Sequence, residues 1–292
     1  MAVAPETGII KLLAYIGRNF GLLVVFGSLL LVACDEEPWN RPYPADEAER
    51  NIMYSSFRES PNHLDPAQSY SSNEVTFTGQ IYEPPLQYHY LKRPYELTPL
   101  AATEIPVPVY LDSGGSRLPA DADSHDISFR VYDITIKPGI RYQPHPAFAL
   151  DEQNQPVYQD MTADELALIH TLADFQQTGT RELTAADYVY QIKRLAHPRL
   201  HSPIFGLMGE YIVGLDDYQE TLSRAYEQAA AGQTEGIYLD LQKHPLEGVQ
   251  LVDRYTYRIK IHGKYPQLRY WLAMPFFAPV PHEADRFYSQ AG

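Results

Sequence analysis

The sequence predicts an α/β body in which strands and helices alternate, and three observations predict it. Two segments alternate strictly between apolar and polar residues: Tyr132, Ile134 and Ile136 against Asp133, Thr135 and Lys137, and Tyr255, Tyr257, Ile259 and Ile261 against Thr256, Arg258 and Lys260. A period of two puts one set of each on a buried sheet face, so the later segment can pair with the earlier one. Between them lie helix-start patterns followed by apolar residues at helical spacing. The 292 residues, 45% of them hydrophobic, suffice for a sizeable core and show no fixed-period repeat.

In chain order, the first feature is an address. Lys11 and Arg18 precede the apolar stretch Phe20 to Ala33, which is short for a membrane span and suits a signal-peptide core. Leu31-Val32-Ala33-Cys34 resembles the lipobox of bacterial lipoproteins, in which a small residue admits the signal peptidase and the cysteine thiol takes a diacylglyceryl group. Residues 1–33 are therefore expected to be a lipoprotein signal peptide, with Cys34 the lipidated residue and the membrane reached through that anchor. Cys34 is the sole cysteine, so no intramolecular disulfide can form. Asp35 resembles the signal that retains some lipoproteins at the inner membrane, and the charged, proline-bearing residues 34–50 read as a tether.

The body is expected over 51–292. Ile52 to Phe57 reads as a first strand, closed by the turn-prone Ser60-Pro61-Asn62. A helix follows, with Ser72 as its cap, a stripe of Val75, Phe77, Thr78, Ile81 and Tyr82, and Pro84-Pro85 as its stop. Residues 106–126, rich in Pro, Gly, Asp and Ser, read as a loop or loose hairpin. After the first alternating strand, Pro138-Gly139 reverses the chain.

Thr162-Ala163-Asp164-Glu165 and Thr184-Ala185-Ala186-Asp187 both place an acid three residues after a capping hydroxyl, close to the capping-box pattern, and each predicts a helix. The expected stripes are Leu168, Leu172 and Phe175 in one, and Ala185, Val189, Ile192 and Leu195 in the other. Asp217 to Ala231 gives a further helix, stopped by Gly232. Pro266 opens a last one carrying Leu268, Trp271 and Leu272, before Pro275.

A formal charge of −14, from 37 acidic and 23 basic side chains, argues against a surface that gathers phosphate backbones, so no nucleic-acid partner is expected. Of ten histidines only His197 and His201 have i, i+4 spacing, with Pro198 between them and no His-Glu-x-x-His pattern; no metal site and no cofactor follow. Gly-x-Ser-x-Gly, the Walker A loop and the dinucleotide glycine fingerprint are absent, so no catalytic residue is nominated. Asp216 with Asp217 reads as a helix start. Tyr82, Tyr88, Tyr90 and Tyr95 read as half-buried packing ahead of a ligand-facing aromatic wall.

Several blocks, in order, resemble the bacterial extracellular solute-binding proteins of family 5, the oligopeptide and dipeptide receptors of ABC importers. They are Leu64-Asp65-Pro66-Ala67 with Gln80 to Leu86, Tyr132 to Tyr142, Leu183 to Tyr190 continuing to Lys193-Arg194-Leu195, and Val252 to Thr256. The resemblance implies a periplasmic-binding-protein type II-like fold, two-lobed in the full protein, of which this chain would be the N-terminal part. It implies a non-catalytic, monomeric receptor in the periplasm, anchored to the inner membrane, that binds an oligopeptide or dipeptide and delivers it to an ABC permease. In the family the stretch before the Leu-Asp-Pro block lines the cleft, which points here to Glu59, Ser60, Asn62 and His63, with Pro61 among them unable to donate to a ligand backbone. Residues about 144–181 form a helical insert relative to many members. Two alternatives share the address: a lipid-anchored hydrolase whose site lies beyond residue 292, and a sensory or interaction lipoprotein on the same fold.

Overall fold

The computed structural model describes residue 47 and residues 50–232 and 236–290. The expected signal peptide, Cys34 and nearly all of the tether lie outside the described residues. No helix among the described residues is long and apolar enough to cross a membrane. The chain divides into a unit ending at Ser56 and a unit that begins at Phe57.

The strand expected over Ile52–Phe57 does not form. Residues 51–56 run without regular structure, and Met53 is 90% exposed. An apolar run becomes a strand only where another strand offers its backbone edge. Phe57, which opens the second unit, instead sets its ring edge-on against Phe77 at 5.3 Å.

The second unit is built on a four-stranded antiparallel sheet in the order β3-β4-β6-β5, where β3 is Val109–Leu111, β4 Phe129–Thr135, β5 Val249–Leu251 and β6 Thr256–His262. β4 and β6 are the two alternating segments of the sequence, paired in the register Tyr132↔Ile259 and Ile134↔Tyr257. Tyr132, Ile134, Ile136, Tyr257, Ile259 and Ile261 are all essentially buried, as the period of two requires. Gly139, at φ +85°, makes the turn after β4, a conformation that costs glycine nothing and other residues a steric clash. The loose hairpin expected over 106–126 supplies edge strand β3. A separate two-stranded ribbon pairs β1 (Leu86–Tyr88) with β2 (Leu97–Pro99).

Helix α1 (Ser72–Ile81) is capped by Ser71 rather than Ser72, because Glu74 then falls at the third helical position and closes a capping box. Its expected apolar stripe is also corrected: Glu74 and Thr78 are the buried positions, while Val75 and Ile81 stay exposed. The helix from Thr162 shrinks to one turn, α2 (Ala163–Leu166), plus a 3₁₀ turn at Leu172–Asp174, and Leu168 is 75% exposed. Both turns have their capping boxes, but local capping without a face to bury sustains only one turn.

Helix α3 (Ala185–Arg194) begins at Thr184 as expected and buries Ala185, Ile192 and Leu195 against the sheet. Tyr188 stacks on Tyr257 of β6, with ring centroids 5.4 Å apart and planes 5° apart. After α4 (Phe205–Tyr211), α5 (Leu215–Ala229) starts at Gly214 with Asp216 and Asp217 in its first turn, where carboxylates complement the helix dipole. The helix expected from Pro266 is the short α6 (Leu268–Trp271), and Pro275 opens a 3₁₀ turn before α7 (His282–Tyr288).

The insert over 144–181 packs on α7. His145 and Phe175 both meet the ring of Phe287, Asp160 pairs with Arg286 at 2.6 Å, and Gln290 donates to the Tyr158 carbonyl. It contributes turns and aromatic contacts rather than the full extra helix expected.

Ile259 sits fully buried on the central strand pair, so Ile259→Ala should destabilise by about 2–5 kcal/mol. Leu168→Ser, on the stripe that never forms, should stay within about 0.5 kcal/mol of wild type. Urea unfolding midpoints of the two variants check both.

Candidate ligand-facing site

The stretch before Leu64-Asp65-Pro66 is an exposed loop whose exit is fixed. Glu59, Ser60, Asn62 and His63 are all exposed, and Pro61 is half-buried. Among the described residues, the side chains of Glu59, Ser60 and Asn62 have no hydrogen-bond partner. The loop forms no strand, so it offers separate backbone groups and side chains rather than a sheet edge.

Two carboxylates hold its exit. Glu74 of α1 accepts from the amides of His63 at 3.0 Å, Tyr70 at 2.9 Å and Ser71 at 3.0 Å. The Ser71 amide contributes most, burial pushes the other way, and the net effect holds the Glu74 carboxyl down to about 2. Asp65 accepts from the Ala67 amide at 2.8 Å and forms a two-bond pair with Arg194 at the end of α3, at 2.9 and 2.6 Å. Burial pushes the Asp65 carboxyl up, but the Arg194 guanidinium outweighs it and keeps the group below its ordinary value.

Arg194 is itself buried. Its Nε donates to Asp285 of α7 at 3.2 Å and its Nη1 to Gln191 at 3.1 Å, while the Tyr190 hydroxyl donates to the other Asp285 oxygen at 2.6 Å. At the opposite end of α3, Arg181 forks onto both Asp187 and Glu283, with contacts of 2.6 to 2.9 Å. α3 is thus pinned at both ends to α7 and, through Asp65, to the loop.

Around the loop lies uncovered apolar surface: Phe57 is 60%, Tyr70 68% and Ile81 61% exposed. Tyr70 reaches Phe276 at 6.1 Å, Phe276 reaches Trp271 of α6 at 6.4 Å, and the Trp271 indole donates to the Tyr265 hydroxyl at 2.8 Å. An aromatic path therefore leads from the loop to α6. Exposed polar side chains beside unsatisfied aromatic area suit recognition of a guest with both polar and apolar groups.

The expected tyrosine cluster divides. Tyr82 is half-buried apart from the others, whereas Tyr88 contacts Tyr95 at 5.9 Å and stacks on Tyr270 at 6.2 Å. Tyr90 at 88% and Tyr95 at 64% exposure contradict the packing expectation, because the short ribbon β1-β2 leaves its tip over no core. His197 and His201 fall after α3 has ended, so no helix holds them one turn apart; His197 sits edge-on to Tyr226, and burial brings its imidazole down to about 4. Among the described residues no group of three or more His, Cys, Asp or Glu is placed to hold a metal ion.

Two cavities avoid the loop. One of about 750 Å³ lies among residues 159–163, α5, residues 236–244 and α7; another of about 470 Å³ lies at the start of α3 beside Arg181, Lys193 and Arg254. Neither contains Glu59, Ser60, Asn62 or His63.

No family model matches the chain, and no curated protein matches it. Solved structures do. The chain is similar to part of several peptide-binding proteins. The Escherichia coli murein tripeptide binding protein MppA shares 17% identity at a TM-score of 0.42, over 77% of this chain and 30% of that one. A periplasmic oligopeptide-binding protein of Borrelia burgdorferi shares 12% at 0.45, over 79% and 31%. Listeria monocytogenes OppA, solved bound to peptide, shares 15% at 0.40, over 75% and 28%. The chain spans about three tenths of the length of these proteins.

The Asp65–Arg194–Asp285 network escaped the sequence reading, although Asp65 and Arg194 both stand in the blocks that carry the family resemblance. A visible signal was a lysine and an arginine ending a helix whose neighbouring positions are apolar, at Ile192-Lys193-Arg194-Leu195.

Arg194→Met leaves the half-buried Asp65 and Asp285 without their cation and should cost about 3 kcal/mol in chemical unfolding. Glu74 titrates lower in the folded chain than its ordinary 4.5, so its stabilisation is complete above that value and fades as pH falls toward about 2. Glu74→Gln should therefore lower stability at neutral pH and flatten the loss between pH 4.5 and 2; an unchanged acid-unfolding curve would count against the carboxylate's anchoring role.

Proposed function

We propose that the chain is the N-terminal part of the substrate-binding component of an ABC importer, a lipoprotein that binds peptides and hands them to an inner-membrane permease. Residues 1–33 would be the signal peptide, Cys34 the acylated anchor, 34–50 the tether, and the remainder part of the solute-binding domain in the periplasm. The observation that carries the reading is the loop Glu59–His63: exposed side chains, those of Glu59, Ser60 and Asn62 without a hydrogen-bond partner among the described residues, on a backbone whose exit is locked by Glu74 and by the Asp65–Arg194 pair. A binding loop of this kind keeps its own groups unsatisfied for the guest while losing little entropy on contact.

The ordered sequence blocks, the lipobox-like Leu31-Val32-Ala33-Cys34 and the aromatic path from Tyr70 to Tyr265 support the same reading. Glu59, Ser60, Asn62 and His63 would contact the peptide through side chains, Pro61 interrupting continuous backbone pairing. Binding makes and breaks no covalent bond. An exposed acid, a hydroxyl, an amide and an imidazole next to apolar surface accept varied peptides through direct and water-mediated contacts.

Calorimetric titration of the membrane-extracted, full-length protein with a pool of di- to pentapeptides should give saturable heat. Replacing Glu59, Ser60, Asn62 and His63 together by Ala should weaken that binding about tenfold or more at an unchanged melting temperature. Heat that is absent from the wild-type protein, or undiminished in the quadruple variant, would remove this reading of the loop. Metabolic palmitate label should enter the protein and vanish in Cys34→Ser; label retained by the variant would exclude Cys34 as the anchor.

A further inference from the structure

Gln159 is 7% exposed, and its side-chain amide makes no hydrogen bond with any described residue. It stands in the insert and lines the cavity of about 750 Å³ between the insert, α5 and α7. The amide is not sealed among packed atoms, as the Ser69 and Thr78 hydroxyls are, so it opens onto that space. A carboxamide carries two N–H donors and an acceptor oxygen, and leaving them unanswered in a buried position costs free energy.

Gln290, which lines the same cavity, shows the contrast. Its oxygen accepts from the Met161 amide at 2.8 Å, and its nitrogen donates to the carbonyls of Tyr158 and Phe287, both at 2.9 Å. The backbone on either side of Gln159 is thereby tied to the chain just after α7, and the segment that carries the free amide is fixed at the cavity wall. A donor and an acceptor held in this way lose little freedom when a guest arrives.

The acids and bases of the lining cancel: Asp160 pairs with Arg286 at 2.6 Å and Asp240 with Lys243 at 3.5 Å. Met161, Ala225, Ile237 and Leu239 add aliphatic surface. A space of this volume with apolar walls and one placed polar group suits an uncharged small molecule. The group that answers a carboxamide with two parallel hydrogen bonds is a second primary carboxamide, whose C=O and N–H lie side by side. A trans peptide bond holds its C=O and N–H on opposite sides and can make one of the two.

We propose that this cavity binds an uncharged ligand bearing a primary carboxamide, which exchanges two hydrogen bonds with the Gln159 side chain. The site is separate from the loop Glu59–His63, none of whose residues lines it.

Saturation-transfer NMR on the full-length, membrane-extracted protein tests it, with N-acetylalaninamide as the probe and N-acetylalanine and its N-methylamide as controls. The probe should give a saturable signal and bind about tenfold more tightly than either control. Gln159→Met, which keeps the length of the side chain without its amide, should weaken the probe about tenfold. Ala229→Phe, at an exposed position ending α5, should narrow the cavity and weaken it too. The variant with Glu59, Ser60, Asn62 and His63 replaced by Ala should bind the probe as the wild type does. A silent wild type overturns the proposal, as do controls that bind equally well, or an undiminished signal in Gln159→Met or, should that variant not fold, in Ala229→Phe. Binding lost in the loop variant but kept in Gln159→Met would overturn it and leave the peptide reading standing; a silent peptide titration beside a probe signal that depends on Gln159 would do the reverse.

Discussion

Arg194 is a guanidinium closed in by three pieces of chain that are distant in sequence: the Leu64-Asp65-Pro66 turn, the end of α3 and the start of α7. Taking such a charge out of water costs several kcal/mol, and the cost is met only if its donors all find oxygen. Asp65, Asp285 and Gln191 provide those oxygens, and the Tyr190 hydroxyl fixes Asp285 in turn. Once that set is formed, the turn cannot drift from α3 without stranding a charge. The position of the exposed loop before it, and hence the candidate binding surface, follows from this one cation.

The same logic runs along α3. Asp187 caps the start of the helix and also receives Arg181, which reaches Glu283 on α7; Arg194 closes the end against Asp285 on that helix. Between the two ion clusters the helix lays Ala185, Tyr188 and Ile192 on the β4-β6 pair. Apolar burial supplies most of the stabilisation, whereas the charge clusters fix which way the elements face. A scaffold rigid in this way lets Glu59, Ser60 and Asn62 stay exposed without hydrogen-bond partners among the described residues.

The legible part of the fold was the part governed by period. Tyr132 to Ile136 and Tyr257 to Ile261 announced buried strand faces because alternation has one structural meaning, and Thr184 to Leu195 announced a buried helix because its caps and its stripe agreed. Where they disagreed, the stripe failed. Leu168 and Leu172 had capping patterns upstream but no surface to cover them, and Val75 and Ile81 gave way to Glu74 and Thr78 because the backbone amides around Ser71 needed a carboxylate more than the core needed a valine. Ile52 to Phe57 had the composition of a strand, yet residues 51–56 run without regular structure.

The sequence by itself determined the local devices: the alternation of two strands, the capping boxes and the Pro138-Gly139 turn. Each of these is written in residues a few positions apart, within the reach of one turn of helix or one pleat of strand. Only the tertiary structure decided which charges meet. Asp65, Arg194 and Asp285 carry no mark of partnership in the sequence, and Gln159 does not show there that it is buried without a partner, because burial and pairing are properties of neighbours that folding brings from far along the chain.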